Sequence, residues 1–390
     1  MRRFVLLLGA LLLAGCAGQG TGRLAAPAAD PPVAPQLDGQ AMVMDDGASL
    51  PLRSWLPEGR PRAVILALHG FDDYSNAFAM PGAAWARDGI ATYAYDQRGF
   101  GAAPARGLWA GTKRLAEDLA AATRLLRRRY PGTPLYCLGE SMGGAVVAVA
   151  EAGDAGAPRP RCDAIILAAP AVWGRDTMNV FERVALWGGD LLFPDMTLTG
   201  RGLHILASDN IPMLIQLGRD PLVIKATRVD TIHGLVDLMD EALAAAPGIT
   251  APMLLLYGER DQVVPKEATE RFVADLPFRE RAKRKIAWYA DGYHMLLRDL
   301  DGKLVWRDVE RWIADARAPL PSGADERASR VLYAKGAVSS QPSAVSLPLH
   351  PWGGEVGERS EPGEAGARGA GGITTSPCPL PRCAAERVAE

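Results

Sequence analysis

Between a strand-like apolar run and an alanine-rich helical run, the chain reads Gly139-Glu140-Ser141-Met142-Gly143. A serine between two glycines at a strand-to-helix turn is the pattern of a nucleophile elbow. The chemistry explains the pattern. Ser141 has to stand on a strained turn with its hydroxyl free, so Gly139 and Gly143 keep the neighbouring backbone free of Cβ clashes. The helix that follows points unsatisfied N–H groups and a partial positive charge at any negative charge that develops there. The amide of Met142 is therefore a ready oxyanion donor.

A serine needs a base, and the base needs an orienting carboxylate. The histidines are His69, His204, His233, His294 and His350. His294 lies in Asp291-Gly292-Tyr293-His294-Met295, directly after the last strand-like run, and is the expected base. His350 falls in a polar tail, while His204 and His233 fall in an interval read below as a cap. For the acid, Leu254-Leu255-Leu256-Tyr257-Gly258-Glu259-Arg260-Asp261 is a buried strand running into a turn. Strand-end placement favours Asp261, with Glu259 and Asp291 as rivals. The second oxyanion donor is expected from the loop Leu68-His69-Gly70-Phe71-Asp72, through the amide of Phe71. His69 reads as a brace for that loop. Asp96-Gln97-Arg98-Gly99 reads as a turn held by Asp96, with no chemistry.

These residues need elements to present them. Strands are predicted at 41–44, 50–55, 63–68, 90–95, 134–138, 164–168, 253–257 and 284–289, separated by helical stretches. The helix predicted over 112–130 puts Leu115, Leu119, Thr123 and Leu126 on one face. Such alternation predicts an α/β fold: a mostly parallel eight-stranded sheet flanked by helices. Residues 171–250 break the rhythm with helical, Leu-, Ile-, Met- and Trp-rich sequence, and are expected to form a helical cap over the serine's edge of the sheet.

Together, His69-Gly70, Asp96-x-Arg98-Gly99, Gly139-Glu140-Ser141-Met142-Gly143, Gly258-x-x-Asp261 and Gly292-Tyr293-His294 resemble the α/β-hydrolase superfamily. Within it the chain is similar to the monoacylglycerol lipase and lysophospholipase branch, also labelled serine aminopeptidase-like. The resemblance spans about Asp38 to Ala316. It implies a serine hydrolase that cleaves lipid-type carboxylic esters through an acyl-enzyme, using Ser141, Asp261 and His294, with no cofactor. One departure stands out: Glu140 occupies the place where animal monoacylglycerol lipases usually have His. An alternative is a serine peptidase removing N-terminal residues, which would need an acidic anchor for the substrate's amine. Another is a catalytically silent envelope lipoprotein. Dehalogenase and epoxide hydrolase chemistry is disfavoured, since those enzymes use Asp at the elbow.

At its start the chain carries Arg2 and Arg3, then an apolar run too short to span a bilayer, as in a signal peptide. Leu13-Ala14-Gly15-Cys16 resembles a bacterial lipoprotein box. That resemblance implies removal of residues 1–15 and lipidation of Cys16. By the same resemblance, Ala rather than Asp at position 17 implies the outer membrane. Residues 16–37 then form a flexible, Ala-, Pro- and Gly-rich tether, and 38–318 the hydrolase domain. Residues 319–390 have the composition of a disordered tail. A net charge of -2 on 390 residues gives no basic excess for nucleic acid. The partners expected are a small lipid-like ester and a membrane, reached through Cys16. No metal-ligand spacing appears. Cys137 and Cys162 are expected to be buried apolar side chains rather than a bridge, and an exported chain permits a Cys378–Cys383 bond.

Overall fold

The computed structural model of the protein describes residues 33–334, apart from 154, 179, 201, 203 and 204. Expectations that fall on Cys16, His204, His350, Cys378 and Cys383 lie outside the described residues.

The first seven strands are β1 (Gln36–Asp38), β2 (Ala41–Val43), β3 (Ser49–Trp55), β4 (Ala63–Leu68), β5 (Ile90–Tyr95), β6 (Leu135–Glu140) and β7 (Ala164–Ala168). The short β8 (Thr197–Leu198) and β9 (Thr227–Arg228) pair with each other, and β10 (Met253–Gly258) and β11 (Arg284–Tyr289) complete the main sheet. Its order is β1-β2-β3-β5-β4-β6-β7-β10-β11. From β5 to β11 every pairing is parallel, and the β1–β2–β3–β5 edge is antiparallel. Strands β4, β5, β7 and β10 are buried at every residue. Parallel strands covered on both faces read as continuous apolar runs for this reason.

Alternate side chains feed two cores. Val64, Leu66 and Leu68 enter one cluster, and Ala63, Ile65 and Ala67 the other. The first core is covered by α2 (Thr112–Arg129) and α3 (Met142–Ala152); the second holds Trp85 of α1 (Ala79–Arg87) and Trp306 of α8 (Gly302–Ala314). The inserted interval carries α4 (Val180–Leu192), α5 (Ile211–Arg219) and α6 (Val229–Ala245), with α7 (Lys266–Asp275) following β10. This is the expected α/β-hydrolase architecture.

Four details differ from the sequence reading. The sheet has a ninth strand, because β1 begins inside the stretch assigned to the tether and pairs Gln36 with Val43. The interval between β7 and β10 holds the β8–β9 pair as well as helices. Cys137 and Cys162 are bonded, with Cα atoms 5.8 Å apart. Both cysteines do pack against the core. The parallel register that places Cys137 opposite Ile165 also brings the approach to β7 alongside β6.

The fourth difference is at the tail. The chain stays folded beyond Pro319 and forms α9 (Ala324–Ala334) beside β11. Leu320, Ala324, Ala328 and Leu332 are buried. Their four-residue spacing is helical, but two alanines make a stripe too weakly apolar to stand out from a polar sequence. Among the described residues, no helix is long and apolar enough to cross a membrane.

Candidate active site

Ser141 sits where β6 turns into α3, with φ 52 and ψ -115. A non-glycine residue there is strained and persists only because its surroundings hold it. They do so through the main chain: Ser141 N–H donates to Ala168 O (2.9 Å), and Ser141 O accepts from Ala171 N (3.0 Å) and Ala145 N (3.1 Å). The flanking glycines are required by space. A Cβ on Gly139 would lie 2.3 Å from Gly143 O, and one on Gly143 would lie 2.2 Å from Leu68 O.

The loop after β4 lies against this turn. A Cβ on Gly70 would stand 3.3 Å from Ser141 Cβ and 3.9 Å from its Oγ. The main chain at Gly70 therefore borders the hydroxyl, and Met142, which opens α3, is fully buried. His69 braces this loop. Gln97 N–H donates to His69 Nε2 (2.9 Å), which leaves the proton on Nδ1, 2.8 Å from Gly70 O. Burial lowers the pKa of this imidazole and keeps it neutral. Asp96 holds its turn as expected, accepting from Ser75 N (3.0 Å) and Ala102 N (2.8 Å).

The same loop is tied to the interval inserted between β7 and β10. Ile224 N–H donates to Asp72 O (2.9 Å), Thr227 Oγ1–H donates to Asp72 Oδ2, and Tyr74 Oη–H donates to Asp220 Oδ2 (2.7 Å). Asp72 has φ 62, and burial pushes its carboxyl up to about 6.

At the end of β10, Asp261 is bonded to His294: Oδ2 lies 2.8 Å from Nδ1. Its other oxygen accepts from the amides of Val263 (2.7 Å) and Val264 (2.9 Å). The rivals are engaged elsewhere, Glu259 with Lys266 and Arg327, and Asp291 with Arg260. Gly258 lets the two loops meet, since a Cβ there would lie 2.3 Å from Gly292 O. His294 is buried; desolvation disfavours its charged form, but Asp261 overrides this and raises the pKa.

Sequence reasoning missed the charges behind these loops. Arg298 Nη1 donates to Asp73 Oδ2 (2.7 Å), and Nη2 donates to Glu140 Oε2 (3.2 Å). Asp299 accepts from Tyr293 N (2.8 Å) and Ser208 Oγ (2.6 Å). The available signal was Arg298-Asp299 set between leucines just after the histidine.

Residues 59–301 match the family described as Hydrolase_4, serine aminopeptidase, S33. The chain belongs to this family. It is 27% identical to a monoacylglycerol lipase of Mycolicibacterium smegmatis over 272 residues, covering 66% of this chain and 90% of that one. To the human monoglyceride lipase it is 24% identical over 297 residues, covering 75% and 95%. Among solved structures, a soluble variant of the Saccharomyces cerevisiae monoglyceride lipase in complex with a substrate analog superposes with TM-score 0.58. It is 20% identical, over 69% of this chain and 92% of that one. The Paleococcus ferrophilus monoacylglycerol lipase gives 0.56 at 20% identity, over 68% and 98%.

Proposed function

We propose that this family member is a serine hydrolase that cleaves lipid-type carboxylic esters, of monoacylglycerol or lysophospholipid kind, through an acyl-enzyme. One observation carries the reading. The buried Asp261–His294 pair, at the carboxyl ends of β10 and β11, belongs to the same sheet as a strained Ser141 whose hydroxyl borders the Gly70 main chain.

The steps follow from these groups. Ser141 Oγ attacks the ester carbonyl while His294 Nε2 takes its proton. The amides of Phe71 and Met142 receive the negative charge on the carbonyl oxygen. Asp261 holds the proton on Nδ1 and stabilises the imidazolium. His294 then returns a proton to the departing alcohol, leaving the acyl group on Ser141. Water, deprotonated by the same histidine, releases the acid.

The lipid preference rests on the relatives and on the cap. Trp187, Leu191, Leu192, Phe193, Ile211 and Ile215 all expose about half or more of their surface, apolar area suited to meeting acyl chains. Lipidation at Cys16 after removal of residues 1–15 would place the enzyme on the periplasmic side of an outer membrane, beside such substrates. Against the aminopeptidase alternative, Glu140, the carboxylate beside the nucleophile, is engaged by Arg298 rather than free to hold a substrate amine. Hydrolysis of p-nitrophenyl esters from acetate to dodecanoate tests the substrate class. Rising kcat/KM into medium chains supports a lipid esterase, and preference for acetate opposes it.

A further inference from the structure

Beside the candidate site lies a group of buried charges to which the reaction above gives no role. Arg298, Asp73 and Glu140 leave at most 6% of their side-chain surfaces exposed, yet all three carry ionisable groups. Their positions are telling. Asp73 follows Phe71 by two residues in the oxyanion loop, Glu140 immediately precedes Ser141, and Arg298 follows His294 by four. One guanidinium therefore joins the segments that carry the oxyanion donor, the nucleophile and the base. A buried ion network is a poor way to stabilise a core compared with apolar packing. Its location beside reacting groups points to another use.

We propose that Glu140, held by Arg298, is a positioning residue for His294: its carboxylate sets a second negative charge beside the imidazolium that forms when Ser141 attacks. The inference rests on the serine hydrolase reading. Burial raises the pKa of Glu140 and Arg298 opposes that rise; Oε2 takes the bond from Arg298 while Oε1 accepts none from the described residues. Charge interactions act on His294 from Asp261 after β10, from Glu140 at the end of β6 and from Arg298 in the histidine's own loop. The first two favour the imidazolium, and Arg298 opposes it. Around Glu140 stand Arg298, Asp73 and His294, with Asp299 coupled to it more weakly; neutral His69 faces Asp73, Asp96 and Arg298. Glu140 thus supplements Asp261 from the strand that carries the nucleophile, and the two-armed Arg298 fixes its place.

The test compares kcat/KM against pH for the wild type, Glu140→Gln and Glu140→Met, using p-nitrophenyl butyrate. Glutamine keeps the size and removes the charge; methionine keeps the length without a polar head. His294 has to be neutral to act as base, so removing a charge that favours its protonation moves the acid limb to lower pH. At pH 7 kcat is expected to fall about ten- to a hundredfold, with KM within about twofold. Glu140→Asp, which retains the charge, is expected to keep the wild-type limb. An unmoved limb in folded Glu140→Gln and Glu140→Met overturns the proposal, as does loss of fold in both, which would make the charge purely structural. Ser141→Ala in the same assay separates the two readings: if it is inactive while the Glu140 limb stays put, only this inference fails.

Discussion

Asp261 divides its carboxylate between two tasks, giving Oδ2 to His294 Nδ1 at 2.8 Å and Oδ1 to the amides of Val263 and Val264. The two amides set the orientation of the carboxylate independently of the histidine, so it is already in place to select the imidazole tautomer. Asp261→Asn preserves the shape and the side-chain oxygen but presents an N–H donor in one place. It is expected to reduce kcat by roughly 10³- to 10⁴-fold with little change in KM or melting temperature. Steady-state kinetics beside thermal unfolding checks this; activity within tenfold of wild type would remove Asp261 from the mechanism.

Activity and stability are expected to respond to pH in opposite directions. With His294 as the proposed base, its raised pKa predicts that activity is lost as pH falls through a value above that of ordinary imidazole. For stability, Asp72 and Asp299 are each pushed up to about 6, and Glu151 to about 7, with burial the main cause in every case. A group whose folded pKa is raised binds more protons in the native state, so its stabilising effect is present at low pH and fades as pH rises through the folded value. Unfolding scans between pH 5 and 8 are therefore expected to show the higher melting temperature near pH 5.5, where kcat/KM is already falling.

The bond between Cys137 and Cys162 closes a loop with a sequence separation of 25. Cys162→Ser is expected to cost about 2–4 kcal/mol, chiefly by freeing the unfolded chain. Chemical denaturation with and without reductant measures it: the wild type should lose this amount on reduction, and the variant should be insensitive.

Helix α9 is part of the folded domain. Leu332 is 3% exposed against the core, and Arg327 pairs with Glu259 in the turn that leads to Asp261. Leu332→Ala is expected to cost about 2–4 kcal/mol, and truncation after Pro319 to lower both soluble yield and kcat. An unchanged melting temperature after that truncation would show that the helix adds nothing.

The contrast between α9 and the inner strands shows what a single sequence reveals. Strands β4, β5, β7 and β10 were legible because burial on both faces leaves no room for polar residues. That Ser141, Asp261 and His294 follow strand ends beside glycines was legible from the chain itself, and the structure bonds Asp261 to His294. The disulfide was not, since the register of β6 against β7, rather than any local pattern, decides that its cysteines meet. The ion network was harder still. Arg298 is 225 residues from Asp73 and 158 from Glu140, and a charge flanked by leucines gives no hint of its partner. The α9 helix was hidden by its small side chains.

An activated Ser141 must react with a fluorophosphonate, and peptide mass mapping after the reaction locates the modified residue. Stoichiometric phosphonylation of Ser141 is expected in the wild type, none in Ser141→Ala, and parallel loss of ester hydrolysis. An unlabelled Ser141 in folded protein, or substantial turnover by Ser141→Ala, would contradict its activation.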